Sequence, residues 1–218
     1  MVGDRALVIA VDGPAASGKG TIAEGLATAF SLPYLDTGLL YRAAAARALR
    51  LGLDLSHGGE VARAAREIDP QGLSAEAHAL RTAEVGATAS RIAALPEVRA
   101  ALLSLQTDFA RQPGGAVLDG RDIGTVIAPF APAKLFVTAA PEVRAHRRHL
   151  QHQARGEALT HDEVLVDILA RDARDSGRAD APLTPASDAV LLDTTHLSIE
   201  AAADAARRIV DTALAKGF

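Results

Sequence analysis

The chain contains no cysteine in 218 residues. That absence removes disulfides, thiolate metal sites and a cysteine nucleophile, and it suits the reducing cytoplasm. No apolar stretch approaches the roughly 18 uninterrupted residues that a membrane span requires, so a soluble protein is expected. An excess of positive charge is missing as well: the formal net charge is −4 and the pI is near 6. Polymeric nucleic acid and anionic membranes call for a basic excess, so neither is an expected partner and any polyanion site must be local. Lysine is scarce, present only as Lys19, Lys134 and Lys216. Where arginine is the default cation, a lysine inside a glycine loop asks for a compact, flexible point charge.

What is present is an ordinary globular composition, 49% apolar and 23% charged, enough for one core with insertions. Arg5 followed by the apolar residues 6–11 faintly resembles a secretory signal. The run is short and stops at Asp12 without a cleavage-like region, so it reads as a buried strand. Short apolar runs alternate with longer amphipathic ones, the pattern of a parallel sheet covered by helices. The expected strands are residues 6–11, 33–36, 115–119, 134–138 and 189–193, and three of them end in an aspartate: Asp36, Asp119 and Asp193. Parallel α/β sheets bind ligands at the carboxyl ends of their strands, which directs attention to those loops.

Helices are expected over residues 21–30, with Ile22, Leu26 and Phe30 on one stripe, and over 96–111, with Val98, Leu102, Leu105 and Phe109. Thr160 and Glu163 form a capping-box signature for a helix running to about residue 175, and Ser198 caps a last helix ending near Gly217. Residues 176–188 read as a loop. Two excursions, roughly 37–113 and 144–188, look like insertions standing over the strand ends, an arrangement suited to closing over substrates.

Gly13-Pro14-Ala15-Ala16-Ser17-Gly18-Lys19-Gly20-Thr21 follows a strand and opens a helix. In that setting backbone N–H groups and a helix N-terminus cradle a polyphosphate, while Lys19 reaches its β- and γ-phosphates. The strict phosphate-loop pattern wants Ser or Thr directly after the lysine, whereas here Gly20 stands there and Thr21 comes next. The variant GKGT is similar to the loop of nucleoside monophosphate kinases.

The segments VDGPAASGKGT, YLDTGLLYRA, TASRIAALPEVRAAL, LDGRDIGTV and LARDARDSGRADAPL together resemble the bacterial cytidylate kinase family over nearly the whole chain. The resemblance implies a single domain with a P-loop NTPase-type α/β fold: a parallel five-stranded sheet with helices on both faces, an acceptor-binding insertion and a lid. Its core would be 1–36, 113–143 and 189–218, with the insertion at 37–112 and the lid at 144–188. It implies ATP as phosphoryl donor with Mg²⁺ and CMP or dCMP as acceptor; a cytoplasmic location is expected, and a monomer is one assembly state left open by the sequence. Lys19, Arg121, Arg171 and Arg178 would be catalytic. Besides the loop residues, Arg147 and Arg148 would meet ATP, and Thr21 is the candidate protein oxygen near the metal. Around the acceptor, Thr37, Arg42, Arg121 and Arg178 would lie near its phosphate, with Thr37 also near the sugar, and Asp36 would belong to the same acceptor-binding set. Ser90, Arg99, Asp119 and Asp122 would face the base, and Arg171 and Asp175 the sugar hydroxyls. One departure from the family is clear: members carry a longer stretch with a small antiparallel sheet where this chain has only residues 68–80.

Phosphoryl transfer between nucleotides concentrates negative charge, so positioning and cationic neutralisation dominate catalysis. Arg147, Arg148, Arg171, Arg174 and Arg178 suit that demand, since planar guanidinium groups match phosphate oxygens. Asp172 and Asp175 interleave with them and could instead pair with them along a helix. A phosphate acceptor, already mostly ionised at neutral pH, needs no general base, whereas a hydroxyl acceptor would enlist Asp119 or Asp122. A small-molecule kinase acting on a hydroxyl and a nucleotide-driven switch therefore stand as alternatives. His146, His149 and His152 drift around a helix at steps of three, and no carboxylate in that segment completes a metal set.

Overall fold

The computed structural model describes residues 6–216. In chain order the elements are β1 (Val8–Asp12), α1 (Lys19–Phe30), β2 (Tyr34–Asp36), α2 (Thr37–Arg50) and α3 (Gly58–Arg66). A 3₁₀ turn (Pro70–Gly72) leads to α4 (Leu73–Leu80), α5 (Ala83–Ile92) and α6 (Pro96–Ala110). Then come β3 (Ala116–Gly120), a π-turn (Ile123–Ile127), β4 (Ala133–Thr138), α7 (Pro141–Gln153), α8 (His161–Ser176), β5 (Val190–Asp193) and α9 (Ile199–Ala215). All five expected strands form, their ends shifted by one or two residues. Gly217, near which the last helix was expected to end, lies outside the described residues, as does Arg5. Among the described residues no helix is long and apolar enough to cross a membrane.

The chain divides into two compact units, 36–106 and the remainder, and residues 144–188 belong to the latter. That larger unit carries a five-stranded sheet of order β2-β3-β1-β4-β5. β1 pairs in parallel with both β3 and β4, and β4 in parallel with β5. The connection from β1 runs toward β2 on one side, while that from its neighbour β3 runs across β1 to β4 on the other, so the carboxyl ends of β1 and β3 flank a switch point, the place where open α/β sheets bind ligands. Every residue of β1 and β3 is buried, as expected of central strands covered on both faces. On one face Ile9, Val11, Val117, Leu135 and Val137 meet Ile22, Ala23 and Leu26 of α1 and Ala202, Ala206 and Val210 of α9. Each fully buried Val, Leu or Ile contributes about 1.5–3 kcal/mol, and this cluster anchors the strand ends that carry the site. Phe30, the third member of the α1 stripe, packs on its margin.

The smaller unit is helical, and among its described residues only Asp36 is in a strand, as the last residue of β2. Residues 68–80, the shortened stretch, form the 3₁₀ turn and α4. Buried alanines let the helices approach closely: Ala44, Ala45 and Ala48 of α2, and Ala62, Ala64 and Ala65 of α3. Asp36 caps α2, accepting from Leu39 N at 3.2 Å, and Arg81 Nη2 reaches its other oxygen at 3.1 Å. The carboxylate thus satisfies an orphan N–H and meets the positive end of the helix dipole. The stripe expected on α6 is half realised. Val98 and Leu102 are buried. Leu105 and Phe109 are only partly covered, while Gln106 is buried with its amide donating to Leu102 O at 2.9 Å.

Candidate active site

The phosphate loop is shaped by glycine where nothing else fits. A Cβ on Gly13, whose φ is +150°, would stand 2.0 Å from Val137 O of β4, so the chain must pass the neighbouring strand without a side chain. Gly18 adopts φ +89° at the start of α1, and no side chain caps that helix. Its first-turn N–H groups and dipole therefore point at whatever anion the loop encloses. Ala16 holds φ +59°, a conformation unfavourable for a residue with a Cβ, and packs against the apolar cluster of Ala145, Val164 and Ile168 on α7 and α8. Ser17 is fully buried and its Oγ has no hydrogen-bond partner, while its carbonyl accepts from Thr194 Oγ1 at 2.9 Å. Pro14 is buried, Ala15 and Gly20 are partly covered, and Thr21 is exposed on the first turn of α1.

Carboxylates at the strand ends hold the donors in place. Asp119 accepts from Tyr34 Oη at 2.8 Å and lies 3.9 Å from Lys19 Nζ. Asp12, at the end of β1, accepts from Ile123 N and Gly124 N, both at 2.8 Å. Burial pushes its carboxyl up to about 6, against the opposing pull of those two N–H groups; the Asp122 charge raises it further and Arg121 lowers it. Asp12 thereby fixes the turn immediately after Arg121 and Asp122. The buried Asp122 supplies its own carbonyl to Val126 N at 2.9 Å and to Ile127 N at 3.2 Å, and the second, five-residue bond starts the π-turn.

The decisive constellation surrounds Asp175, buried near the end of α8. Arg121 Nε donates to Asp175 Oδ2 at 2.9 Å, Arg178 Nη2 lies 3.1 Å from Oδ1, and Arg171 Nε lies 3.7 Å from Oδ2. Burial alone would raise the Asp175 carboxyl, but the three guanidinium groups outweigh it and hold the group below the ordinary carboxylate range. Burial and the adjacent Arg121 cation push the Arg171 guanidinium down to about 10, with Asp175 pulling the other way. Three cations share one carboxylate, which leaves an excess of positive charge suited to a phosphate.

Arg147 turns to Thr194, donating from Nη1 to Oγ1 at 3.0 Å and from Nη2 to the carbonyl at 2.8 Å; Nη1 is 3.9 Å from where a Cβ on Gly18 would stand. Arg148 Nη1 donates to Gln151 Oε1 at 3.3 Å. In the smaller unit Thr37 and Ser90 are buried, and Arg42 Nη1 donates to Leu80 O at 3.1 Å, at the end of α4. Arg99, also buried, donates to Tyr41 Oη at 3.4 Å. The histidines take local roles: His152 Nδ1 meets Glu157, and the His149 and His161 rings pack edge to face.

Reasoning from sequence alone passed over Asp12, Tyr34, Tyr41, Arg81, Arg144 and Thr194. Asp12 carried one usable signal, a carboxylate closing an apolar run directly before the glycine loop. The others depend on pairings between distant segments and leave no local trace.

The cytidylate kinase family model matches residues 9–212. A cytidylate kinase of Caulobacter sp. (strain K31) is 58% identical over 97% of this chain and 97% of its own. A cytidylate kinase of Xanthobacter autotrophicus (strain ATCC BAA-1158 / Py2) is 60% identical over 94% of this chain and 97% of its own. The fold is similar to that of a solved structure of an uncharacterized protein from Eubacterium ventriosum, with a TM-score of 0.53 at 12% identity over 95% of this chain and 99% of that one. With a phosphate loop at the switch point, arginines gathered on a buried aspartate, and relatives matching end to end, the chain belongs to the cytidylate kinase family.

Proposed function

We propose that the chain transfers the γ-phosphoryl group of ATP to the phosphate of CMP or dCMP, giving ADP and CDP or dCDP. The observation that carries this reading is the convergence of Arg121, Arg171 and Arg178 on Asp175. An acceptor oxygen attached to phosphorus forms the new bond to the γ-phosphorus as the bond to the β-γ bridging oxygen breaks. The acceptor phosphate is largely ionised at neutral pH, so no proton has to pass to the protein. What the transfer requires is neutralisation of charge that spreads over the transferred group, and preorganised guanidinium groups supply it without reorganising. Lys19 and the N–H groups of the loop hold the donor phosphates. Arg147 and Arg148 assist on the ATP side.

Acceptor recognition is assigned to Thr37 and Arg42, beside Asp36, for the phosphate and sugar end, and to Ser90 and Arg99 for the base. Asp119 and Asp122 are the carboxylates available to the cytosine amino group, and Asp175 with Arg171 to the sugar hydroxyls. Among the described residues there is no cluster of three His, Cys, Asp or Glu side chains that could cage a metal. That fits Mg²⁺, which leans on substrate phosphates and water and asks little of the protein; the exposed Thr21 hydroxyl is the group proposed to help hold it. When bound it supplies charge neutralisation on the phosphates. The enzyme is read as a cytoplasmic monomer.

The test is kcat/KM for CMP, dCMP, UMP and AMP with saturating ATP and Mg²⁺. CMP and dCMP should be good acceptors and the others poor, by a factor on the order of 10⁴ for UMP, because uracil reverses the donor and acceptor pattern and leaves buried polar groups unpaired. Arg99→Met should reduce activity toward CMP far more than toward UMP. Equal use of UMP and CMP by the wild type refutes the cytosine assignment, and ADP release without any monophosphate refutes the transfer itself.

A further inference from the structure

Arg144 does not belong to the set that would touch nucleotide, yet it is 3% exposed and uses its whole guanidinium. Nε donates to Ala139 O at 2.8 Å, in the link that follows β4 and leads into α7. Nη1 reaches Ala15 O in the phosphate loop at 3.3 Å and Asp172 Oδ1 at 3.1 Å, while Nη2 reaches Asp172 Oδ2 at 2.6 Å. One planar group therefore ties three segments together: the β4–α7 link, the phosphate loop and α8. The bidentate bond to Asp172 fixes α8 in angle as well as distance. Asp172 directly follows Arg171 and lies one helical turn before Asp175, so the same bond fixes where the arginine cluster stands. An apolar contact runs beside it, with Ala16 of the loop seated on Ala145, Val164 and Ile168.

We infer that Arg144 is a positioning residue for phosphoryl transfer: by clamping the loop at Ala15 to α8 at Asp172, it sets the separation between Lys19 and the arginines on Asp175. This rests on the kinase reading above. Lys19 and the arginine cluster act on the same transferred group from different elements, and a misplacement of about 1 Å between such groups can cost about 10²-fold in rate. Loss of the clamp should therefore lower turnover while leaving nucleotide affinity nearly intact, because each half of the site still binds its own phosphates. A residue that only stabilised the fold would lower the melting temperature and leave the kcat of the folded fraction unchanged.

The experiment compares wild type with Arg144→Met, Asp172→Asn and the double variant, each checked for folding by circular dichroism. Arg144→Met should lose about 10²-fold and Asp172→Asn about 10-fold in kcat, with KM for CMP and for ATP within about threefold of wild type. The double variant should be no slower than Arg144→Met, since both changes break one link. In the free proteins, amide exchange should quicken at residues 15–18 and 171–175 in both single variants. Unchanged kcat in the folded single variants, or a double variant whose loss is the product of the two, overturns the inference. If Arg144→Met does not fold, Asp172→Asn decides the matter, because Asp172 is 24% exposed and tolerates the isosteric change. If the wild type itself makes no ADP in response to CMP, the kinase reading fails. The clamp is then judged by exchange alone, and unaltered exchange at 15–18 and 171–175 overturns it.

Discussion

Asp12 should make the protein less stable as pH rises through the mildly acidic range, opposite to the usual behaviour of a paired carboxylate. Its carboxyl is raised to about 6 in the folded protein from an ordinary 3.8. Between those values the native state keeps a proton that the unfolded chain has released. Unfolding then releases that proton, so stability falls with increasing pH across this window and levels off above it. A gap of about 2 pH units at about 1.4 kcal/mol each amounts to about 3 kcal/mol. The cause is desolvation: the ionised carboxylate is buried, and the N–H groups of Ile123 and Gly124 offset only part of the loss of water.

The assay is urea unfolding of wild type and Asp12→Asn at intervals from pH 4 to pH 8. Asparagine keeps the shape but offers one acceptor oxygen where the carboxylate offers two, a roughly pH-independent penalty of about 1–3 kcal/mol. Taking the difference between the two proteins cancels most other titrating groups. Wild-type stability minus variant stability should therefore fall by about 2 kcal/mol between pH 4 and pH 7, whatever its absolute offset. A difference that stays flat across the range, or that rises with pH, refutes the argument.

Lys19→Met should leave the melting temperature near wild type and reduce kcat by about 10²-fold or more, because the loop keeps its N–H donors but loses the point charge that follows the γ-phosphoryl group; near-normal turnover in folded protein would count against the loop's assignment. Gly13→Ala, whose new Cβ would stand 2.0 Å from Val137 O, should destabilise the fold by an amount on the order of 3 kcal/mol, read by urea or thermal unfolding. Hydrogen exchange should show residues 147–188 better protected with both nucleotides bound than without, since Arg147, Arg148 and the net positive charge left on the Asp175 cluster gain phosphate partners; equal protection in the two states speaks against a lid.

Much of the fold could be read directly from the chain because its signals are local. A β-branched run before a glycine loop, a capping box at Thr160, and proline opening the helix at Pro96 each act within a few residues, and each marks an element that forms. In the capping box Thr160 N donates to Glu163 Oε2 at 2.8 Å while Glu163 N donates to Thr160 Oγ1 at 3.3 Å. Strand ends were less legible, since the last paired residue depends on register with neighbours: β1 runs on to Asp12 because that residue stands opposite Gly120 of β3 and Phe136 of β4. The stripe on α6 shows a second limit. Periodicity marks a face, but Gln106 displaces its apolar neighbours from the interior by satisfying its amide on its own helix.

Pairing was hidden for a different reason. Asp172 and Asp175 do bond arginines, as helical spacing allows, yet Asp172 takes Arg144 from α7, and Asp175 takes Arg121 from beyond β3 as well as Arg171 and Arg178 nearby. Spacing along one helix reports only neighbours three or four positions away, so the partner 54 residues distant left no mark.

The same pairing explains how a chain of net charge −4 can offer a strongly cationic site. Arginines gathered without a counter-charge would repel one another and turn to solvent, and their spacing would then depend on the arrival of the ligand. Asp175 holds three of them together beforehand, Asp119 stands beside Lys19, and Asp172 holds Arg144 on the loop. Removing the buried Asp175 would strand the arginines gathered on it, and breaking a buried pair of that kind typically costs about 3–5 kcal/mol, so this carboxylate resists loss although it supplies no positive charge. Preorganisation of this kind is what electrostatic catalysis requires, since donors already fixed when the phosphoryl group moves need no reorientation in the transition state. The acidic residues at the strand ends and on α8 are therefore as much a part of the proposed phosphate site as the cations they hold.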